Sequence, residues 1–475
     1  MAAAPILLND VHSRLNPTPV TRVCRPDSLA AVQSLVREAK RAGATLSLAG
    51  GRHAMGGQQF ARDSWHVDTR ALNRVLEGDP LRGLLRIEAG ATWPEIITAS
   101  HALGTGPDGR GWGIRQKQTG VDDVTLGGSI SANAHGRGLR LAPLGADIEA
   151  LTLVDAHGAI VHCDRTHNAE LFALVIGGYG LFGIIYAATL RLAPRLRVRR
   201  RVDVIDLDDA VHTVFRRAAE GCLYGDFQFV IDAADAGFLR RGVLACYQPD
   251  DSEPDATERV ADLAPETWLK LLKLAHEDKR TAFKLYAQHY LGTDGNHYWS
   301  DTHQLSTYLP TYAEFLDQMR GPEDLSAGPE SLLIGEHYVP HERLLDFMQQ
   351  ACAVLRQTGT EVIYGTIRAI QRDVDSFLPW ARQDYVCIVF NLRTPHHADG
   401  CARTAASFRG LIDAALALGG SFFLTYHRYA TAHQVLAAYP RFREFLALKR
   451  RYDPETRFSS EWYRHYCEQF AALPE

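Results

Sequence analysis

An α+β fold is predicted for this chain by three observations. Short strand and helix patterns are mixed along the first 195 residues, and residues 150–163 carry the pattern of a β-hairpin. The two glycine loops, 50–57 and 124–136, are neither a Walker A loop nor a nicotinamide fingerprint. The chain has 475 residues, 46% of them hydrophobic and 23% charged, an ordinary globular composition with room for two or three domains. Its net charge of -5 gives no general attraction to phosphate backbones, so no nucleic-acid partner is expected. The eight cysteines form no CxxC pair and are read as free thiols of a reducing compartment. The N-terminus lacks the basic start of a secretory signal, and no apolar run could span a bilayer. A cytoplasmic protein without a transmembrane segment is the expectation.

In chain order, Asp27-Ser28 can cap a helix with Leu29, Val32, Leu35, Val36 and Ala39 on one face, ending at Gly43. Thr45–Ala49 then reads as a buried strand that feeds the first glycine loop. Leu85–Ala89 is a second strand, and Thr92-Trp93-Pro94-Glu95 resembles a capping box. Ala150–Asp155 and Ile160–Cys163 form the hairpin, Asn168 caps a helix to Ile176, and Ile184–Leu192 is a strand. The arginines between Arg191 and Arg201 read as a solvated face at a domain junction. Mixed elements continue to about residue 420, with breaks at Pro249-Asp250-Asp251 and Gly321-Pro322. One basic amphipathic helix around Trp268–Tyr290 is expected to pack on the second domain rather than on a membrane. The predicted domains are 1–195, 196–420 and a C-terminal segment 421–475.

Gly178-Tyr179-Gly180-Leu181-Phe182-Gly183 formally satisfies GxGxxG. It follows a helix and precedes a strand, the reverse of the order that presents a helix N-terminus to a pyrophosphate, so a Rossmann site is rejected. Gly50, Gly51, Gly56 and Gly57 permit positive φ and close backbone approach, as an anion-binding nest requires. A purely structural turn would look the same. The second loop adds Gly127, Gly128 and the small residues Ser129, Ser131, Ala132 and Ala134, against which a flat ring can lie.

AGGRHAMGG at 49–57, VTLGGSISANAHGRG at 124–138 and GGYGLFGII at 177–185 resemble the FAD-binding domain of the vanillyl-alcohol oxidase and p-cresol methylhydroxylase (PCMH-type) superfamily. The likeness points toward aldonolactone and alditol oxidases and decaprenylphosphoryl-ribose oxidases. It implies a two-subdomain FAD domain followed by a substrate domain with an antiparallel sheet. It also implies that Gly50, Gly51, Arg52, His53, Ala54, Met55, Gly56 and Gln58 surround the FAD pyrophosphate. Thr119, Thr125, Gly127, Gly128, Ser131, Ala132, Ala134, His135 and Gly136 would follow the cofactor toward the isoalloxazine, with Ile184 and Ile185 near the adenine. His53 stands where covalent members bond the flavin. Ile114–Gln118 lacks the second attachment cysteine of bicovalent relatives, so a single bond through His53 is implied.

On the substrate side the resemblance implies Arg137 as a substrate contact and Glu336 with Tyr338, which share a strand face. Tyr364–Arg368 and Val386–Asn391 read as adjacent strands, with Arg368 on the polar face; Cys387 is either a substrate-side or a buried structural thiol. Relatives supply a lysine from the segment 419–428; this chain has none there, leaving Tyr426 or Arg428 in its place. No HExxH or CxxC-type spacing indicates a metal. The expected function is FAD-dependent oxidation of a hydroxyl on a sugar, polyol, lactone or sugar-containing metabolite, with O2 or another electron acceptor as the second partner. A berberine-bridge-type amine or C–C-forming oxidase and a noncatalytic flavin-binding protein are the alternatives. Whether Arg451–Phe458 touches the cofactor or docks on the first domain stays open.

Overall fold

In the computed structural model, residues 5–252, 263–306, 315–316 and 328–472 are described. The N-terminal part is built on two main sheets, with two small two-stranded ones beside them. A parallel three-stranded sheet places Trp65–Asp68 between Arg22–Cys24 and Leu46–Ala49. Its crossover helix, Leu29–Arg41, starts at Ser28, whose hydroxyl accepts the Ala31 N–H, and buries Val32, Leu35, Val36 and Ala39. An antiparallel five-stranded sheet follows in the order Ile160–Asp164, Ile148–Val154, Ile184–Arg191, Leu84–Glu88, Val75–Asp79. The expected capping box is present: Glu95 accepts the Thr92 N–H at 2.7 Å and opens the helix Trp93–Ala102. The second glycine pair lies in the short helix Leu126–Ala132.

An eight-stranded antiparallel sheet makes the second layer, in the order His297–Trp299, Arg197–Asp206, Arg241–Pro249, Tyr224–Phe229, Val362–Ile370, Tyr385–Pro395, Glu330–Val339, Ser421–Phe422. Successive strand residues face opposite ways, so each of its two faces needs its own cover. Leu244 and Phe227 join a core with the helices Leu207–Ala219, Leu344–Thr358 and Ala398–Ala417. The neighbouring Val243 packs instead with Leu271 and Tyr286 of a helical pair. That pair corrects one expectation: Trp268–Tyr290 is two helices, Pro265–Glu277 and Lys279–Gly292. Asp278 breaks the run because its carboxylate accepts the Thr281 N–H and caps the second helix. The break expected at Gly321-Pro322 lies outside the described residues.

The solvated reading of the arginine run also needs correction at Arg200. Its side chain is buried and lies over the Tyr298 ring, 4.3 Å from the ring centroid. Arg195 is tied to Asp301 and Arg191 to Glu149. The C-terminal segment returns to the first domain. Leu46 N–H donates to Arg457 O at 2.6 Å and Ser459 N–H to Leu46 O at 3.0 Å, which places Phe458 beside the parallel sheet. Trp462, Tyr466 and Phe470 of the last helix, Glu461–Ala471, are buried in the same core as Leu174 and Phe182. Residues 451–458 therefore dock on the first domain. Among the described residues no helix is long and apolar enough to cross a membrane, and all eight cysteines are unpaired.

Candidate functional site

A cavity of about 990 Å³ lies between the two glycine loops and the eight-stranded sheet. Its first wall is the loop after Leu46–Ala49. Arg52 has φ +61°, and no acceptor among the described residues takes the N–H groups of Gly51, Arg52, His53 or Ala54. Consecutive unpaired N–H groups in such a turn make an anion seat. The loop cannot carry side chains where it meets the second wall: a Cβ on Gly50 would stand 2.0 Å from Thr125 Oγ1. Gln58 fixes the loop by donating to the carbonyls of Leu424 and Thr425 at 3.1 and 2.8 Å. Asn16 holds it from below by donating to Met55 O at 2.7 Å.

His53 projects into this wall between two partners that no local sequence pattern announces. His12 Nε2 lies 2.7 Å from His53 Nδ1, and Asp123 Oδ1 lies 3.3 Å from His53 Nε2, off the line of a hydrogen bond. Burial, aided by His53, pulls His12 down to about 4. His12 is therefore neutral near pH 7 and shares a single proton with His53 Nδ1. This leaves Nε2 as the nitrogen of His53 that is open to a ligand.

Of the other residues expected to surround the cofactor, Arg52, Ala54, Met55, Gln58, Thr119, Thr125, Gly127, Gly128, Ser131, Ala132, Ala134, His135, Ile184 and Ile185 line the cavity. Gly56 and Gly136 do not; a Cβ on Gly136 would lie 2.7 Å from Lys117 O, so that glycine serves close packing behind the wall. Gly180 and Gly183 of the rejected GxGxxG line the cavity as a turn between helix and strand. The cavity also carries buried polar atoms with no partner, among them Thr119 Oγ1, Thr425 Oγ1 and Gln59 Oε1. Such atoms are rare unless a polar ligand completes them. A dinucleotide with phosphates at the first loop and a flat ring between small residues and the sheet fits this donor set.

The opposite wall centres on Glu336. His135 Nε2 lies 2.9 Å from Glu336 Oε2, and the Tyr338 and Tyr426 hydroxyls donate to the same carboxylate at 2.7 and 2.8 Å. His135 Nδ1 faces Gly136 O at 3.0 Å on the other side of the ring, which fixes the imidazole between that carbonyl and the carboxylate. Burial alone would raise the Glu336 carboxyl; His135, Arg368 and Tyr338 outweigh it and hold the group at about 2. Burial and the adjacent Glu336 push the Tyr426 phenol well above its ordinary range, so it is a donor at neutral pH. Cys387 Sγ stands 3.8 Å from Glu336 Oε2, and burial pushes its thiol well up, so it stays protonated. His135, Glu336 and Cys387 are close enough together to bracket an ion, yet Glu336 already accepts three hydrogen bonds.

Arg137 and Arg368 line this half of the cavity; Arg428 and Tyr338 do not. Tyr338 is fully buried behind Glu336 and stacks on Trp380 at 4.5 Å. Arg428 donates to Glu461 O and Asn16 Oδ1, tying the C-terminal helix to the first loop. Four lining residues had no signal in the sequence reading: His12, Asp226, Arg200 and His303. Asp226 and Arg200 sit in strands whose alternation could have marked them, Arg200 on the face of Val198 and Val202.

Comparison with known proteins defines the class of the first domain. Residues 20–164 match the FAD binding domain family. This part of the chain is an FAD-binding domain, and FAD is its cofactor. The chain is similar to cytokinin dehydrogenase 8 of Oryza sativa subsp. indica, 33% identical over 193 residues, 38% of this chain and 35% of that protein. It is also similar to L-gulonolactone oxidase of Mus musculus, 27% identical over 175 residues, 37% of this chain and 38% of that protein. A third relative is D-arabinono-1,4-lactone oxidase of Eremothecium gossypii, 27% identical over 188 residues, 39% of this chain and 34% of that protein. The matches thus span little more than a third of these relatives.

Proposed function

We propose that the protein is an FAD-linked oxidase or dehydrogenase that oxidises a CH–OH group of a sugar, polyol, lactone or sugar-containing metabolite. The observation that carries this reading is the Glu336 cluster, which faces the glycine loops across one cavity. The named relatives that act on lactones support it. Bound FAD supplies a two-electron acceptor for the hydride leaving the substrate carbon. The chain supplies the rest. The Tyr426 oxygen, its proton directed at Glu336 Oε1, keeps lone pairs that can accept the substrate hydroxyl proton while its own passes to the carboxylate. The Arg368 guanidinium, whose Nε has no partner, faces the same space and stabilises an alkoxide-like oxygen there. His135 and Tyr338 hold Glu336 in place. His53 would hold FAD covalently through Nε2, and FAD held there would supply electrons to O2 or another acceptor.

Acid precipitation tests the cofactor side: wild-type protein gives a yellow pellet and His53→Ala a colourless one. A white pellet from yellow wild-type protein removes the covalent bond. Bleaching of the bound flavin by polyols, sugars or lactones tests the chemistry, and a flavin that none of them reduces sinks this substrate class.

A further inference from the structure

The half of the cavity farthest from the glycine loops does not resemble a seat for a small neutral sugar. Trp268, Leu271, Leu272, Phe283, Tyr286 and Tyr290 of the helical pair present an apolar and aromatic wall. Cationic groups stand beside it. Arg200 is buried and forms no ion pair among the described residues; its Nε and Nη1 donate only to the neutral Tyr247 and Thr293 hydroxyls, at 3.1 and 2.9 Å. Arg137 is held by His303 O at 2.6 Å and faces Asp226 Oδ1 at 3.4 Å. His303 is buried with neither ring nitrogen partnered, and burial next to Arg137 and Arg200 keeps it neutral. A neutral imidazole still carries one N–H to donate.

A buried guanidinium whose only partners are tyrosine rings and neutral hydroxyls still lacks a counter-charge, and gains one when an anion arrives. We infer that the substrate carries, besides the hydroxyl to be oxidised, an apolar or aromatic body against the helical pair and a carboxylate seated at Arg200, Arg137 and His303. A monoanion suits the seat because Asp226 already neutralises Arg137 and would repel a second negative charge. The substrate class is an amphipathic hydroxy acid, such as a sugar acid bearing an apolar group. This inference rests on the proposed oxidase reading and narrows it.

Binding to the FAD-loaded protein tests it, read by quenching of tryptophan fluorescence and by perturbation of the flavin spectrum. The probes are 4-phenylbutyrate and its neutral amide, which share shape and differ in charge. Wild-type protein is expected to bind the acid at least tenfold tighter than the amide. Arg200→Gln is expected to remove that preference and Arg200→Lys to restore part of it. Surface Arg201→Gln, whose partner is Glu220, keeps the preference intact. Should Arg200→Gln fail to fold, His303→Phe keeps the ring stacking and is expected to lower the preference several-fold. Equal affinity for acid and amide in FAD-loaded wild type, or a preference that survives both Arg200→Gln and His303→Phe, overturns the inference. Protein that takes up no FAD overturns the oxidase reading itself, and with it this one.

Discussion

His53 has only one nitrogen to give away. With Nδ1 hydrogen-bonded to His12, the covalent linkage proposed at His53 predicts a flavin–histidine adduct of the Nε2 isomer, which NMR of the flavinyl peptide distinguishes. His12→Phe frees Nδ1, and a mixture of isomers or a lower covalent fraction in the acid pellet is the expected result. A pure Nδ1 adduct in wild-type protein contradicts the arrangement. On the other wall, Tyr426→Phe removes the proton path to Glu336 and should lower kcat by about 100-fold, the low end of general acid–base contributions, while FAD content is unchanged. An unchanged kcat would remove Tyr426 from the chemistry. The sequence singled out His53 in a glycine loop and Glu336 on an alternating strand, whereas Tyr426 came only from the resemblance, as the stand-in for a lysine of relatives. His12 and Arg200 were missed. One acts across 41 positions of chain, and the other was hidden in a charge run whose average member does face water.

Among the elements, local rules located those that cap themselves. Ser28 and Thr92 cap the helices they were expected to open, Asn168 precedes its helix without a capping side-chain hydrogen bond and donates to His162 O instead, and the hairpin pairs Ile160 with Val154 as its turn dictates. The helical pair was misjudged as one helix because an amphipathic stripe can run on through a break, and only the capping role of Asp278 marks the stop. The order of the eight-stranded sheet was not legible either, since it rests on pairings such as Phe227 with Ile367 that lie far apart in sequence. The last helix makes a stability prediction. Trp462 is fully buried against Tyr179 and Phe442, so Trp462→Ala should cost about 3–5 kcal/mol. It should lower the urea midpoint and loosen FAD, because Tyr179 lines the cavity. A midpoint within error of wild type would show that the helix is dispensable.

Over the whole molecule, buried neutral histidines set the response to acid. His66 is held at about 4 by burial, and His337 and His427 at about 3 for the same reason. Each has a folded value below its ordinary 6.5, so the unfolded chain binds more protons as the pH falls below that point. Their contribution is intact above about 6.5 and is lost as pH drops toward the folded values. Near pH 5 the three together tilt stability by roughly 4 kcal/mol per pH unit. Glu336 adds a second loss below its ordinary 4.5, as pH approaches its folded value of about 2. Cooperative unfolding between pH 5 and pH 4, shifted downward by His337→Gln, is the expectation for circular dichroism against pH; stability that is flat to pH 4 would refute it.

The return of residues 457–462 to the parallel sheet also governs when the protein can become functional during its synthesis. The N-terminal sheet leaves the ribosome early, but Leu46 takes backbone partners from Arg457 and Ser459, more than 400 residues later. The first loop depends on the same late arrival through Gln58, which reaches Leu424, and through Arg428, which reaches Asn16. A nascent chain stalled before residue 424 therefore lacks the groups that fix its own first glycine loop.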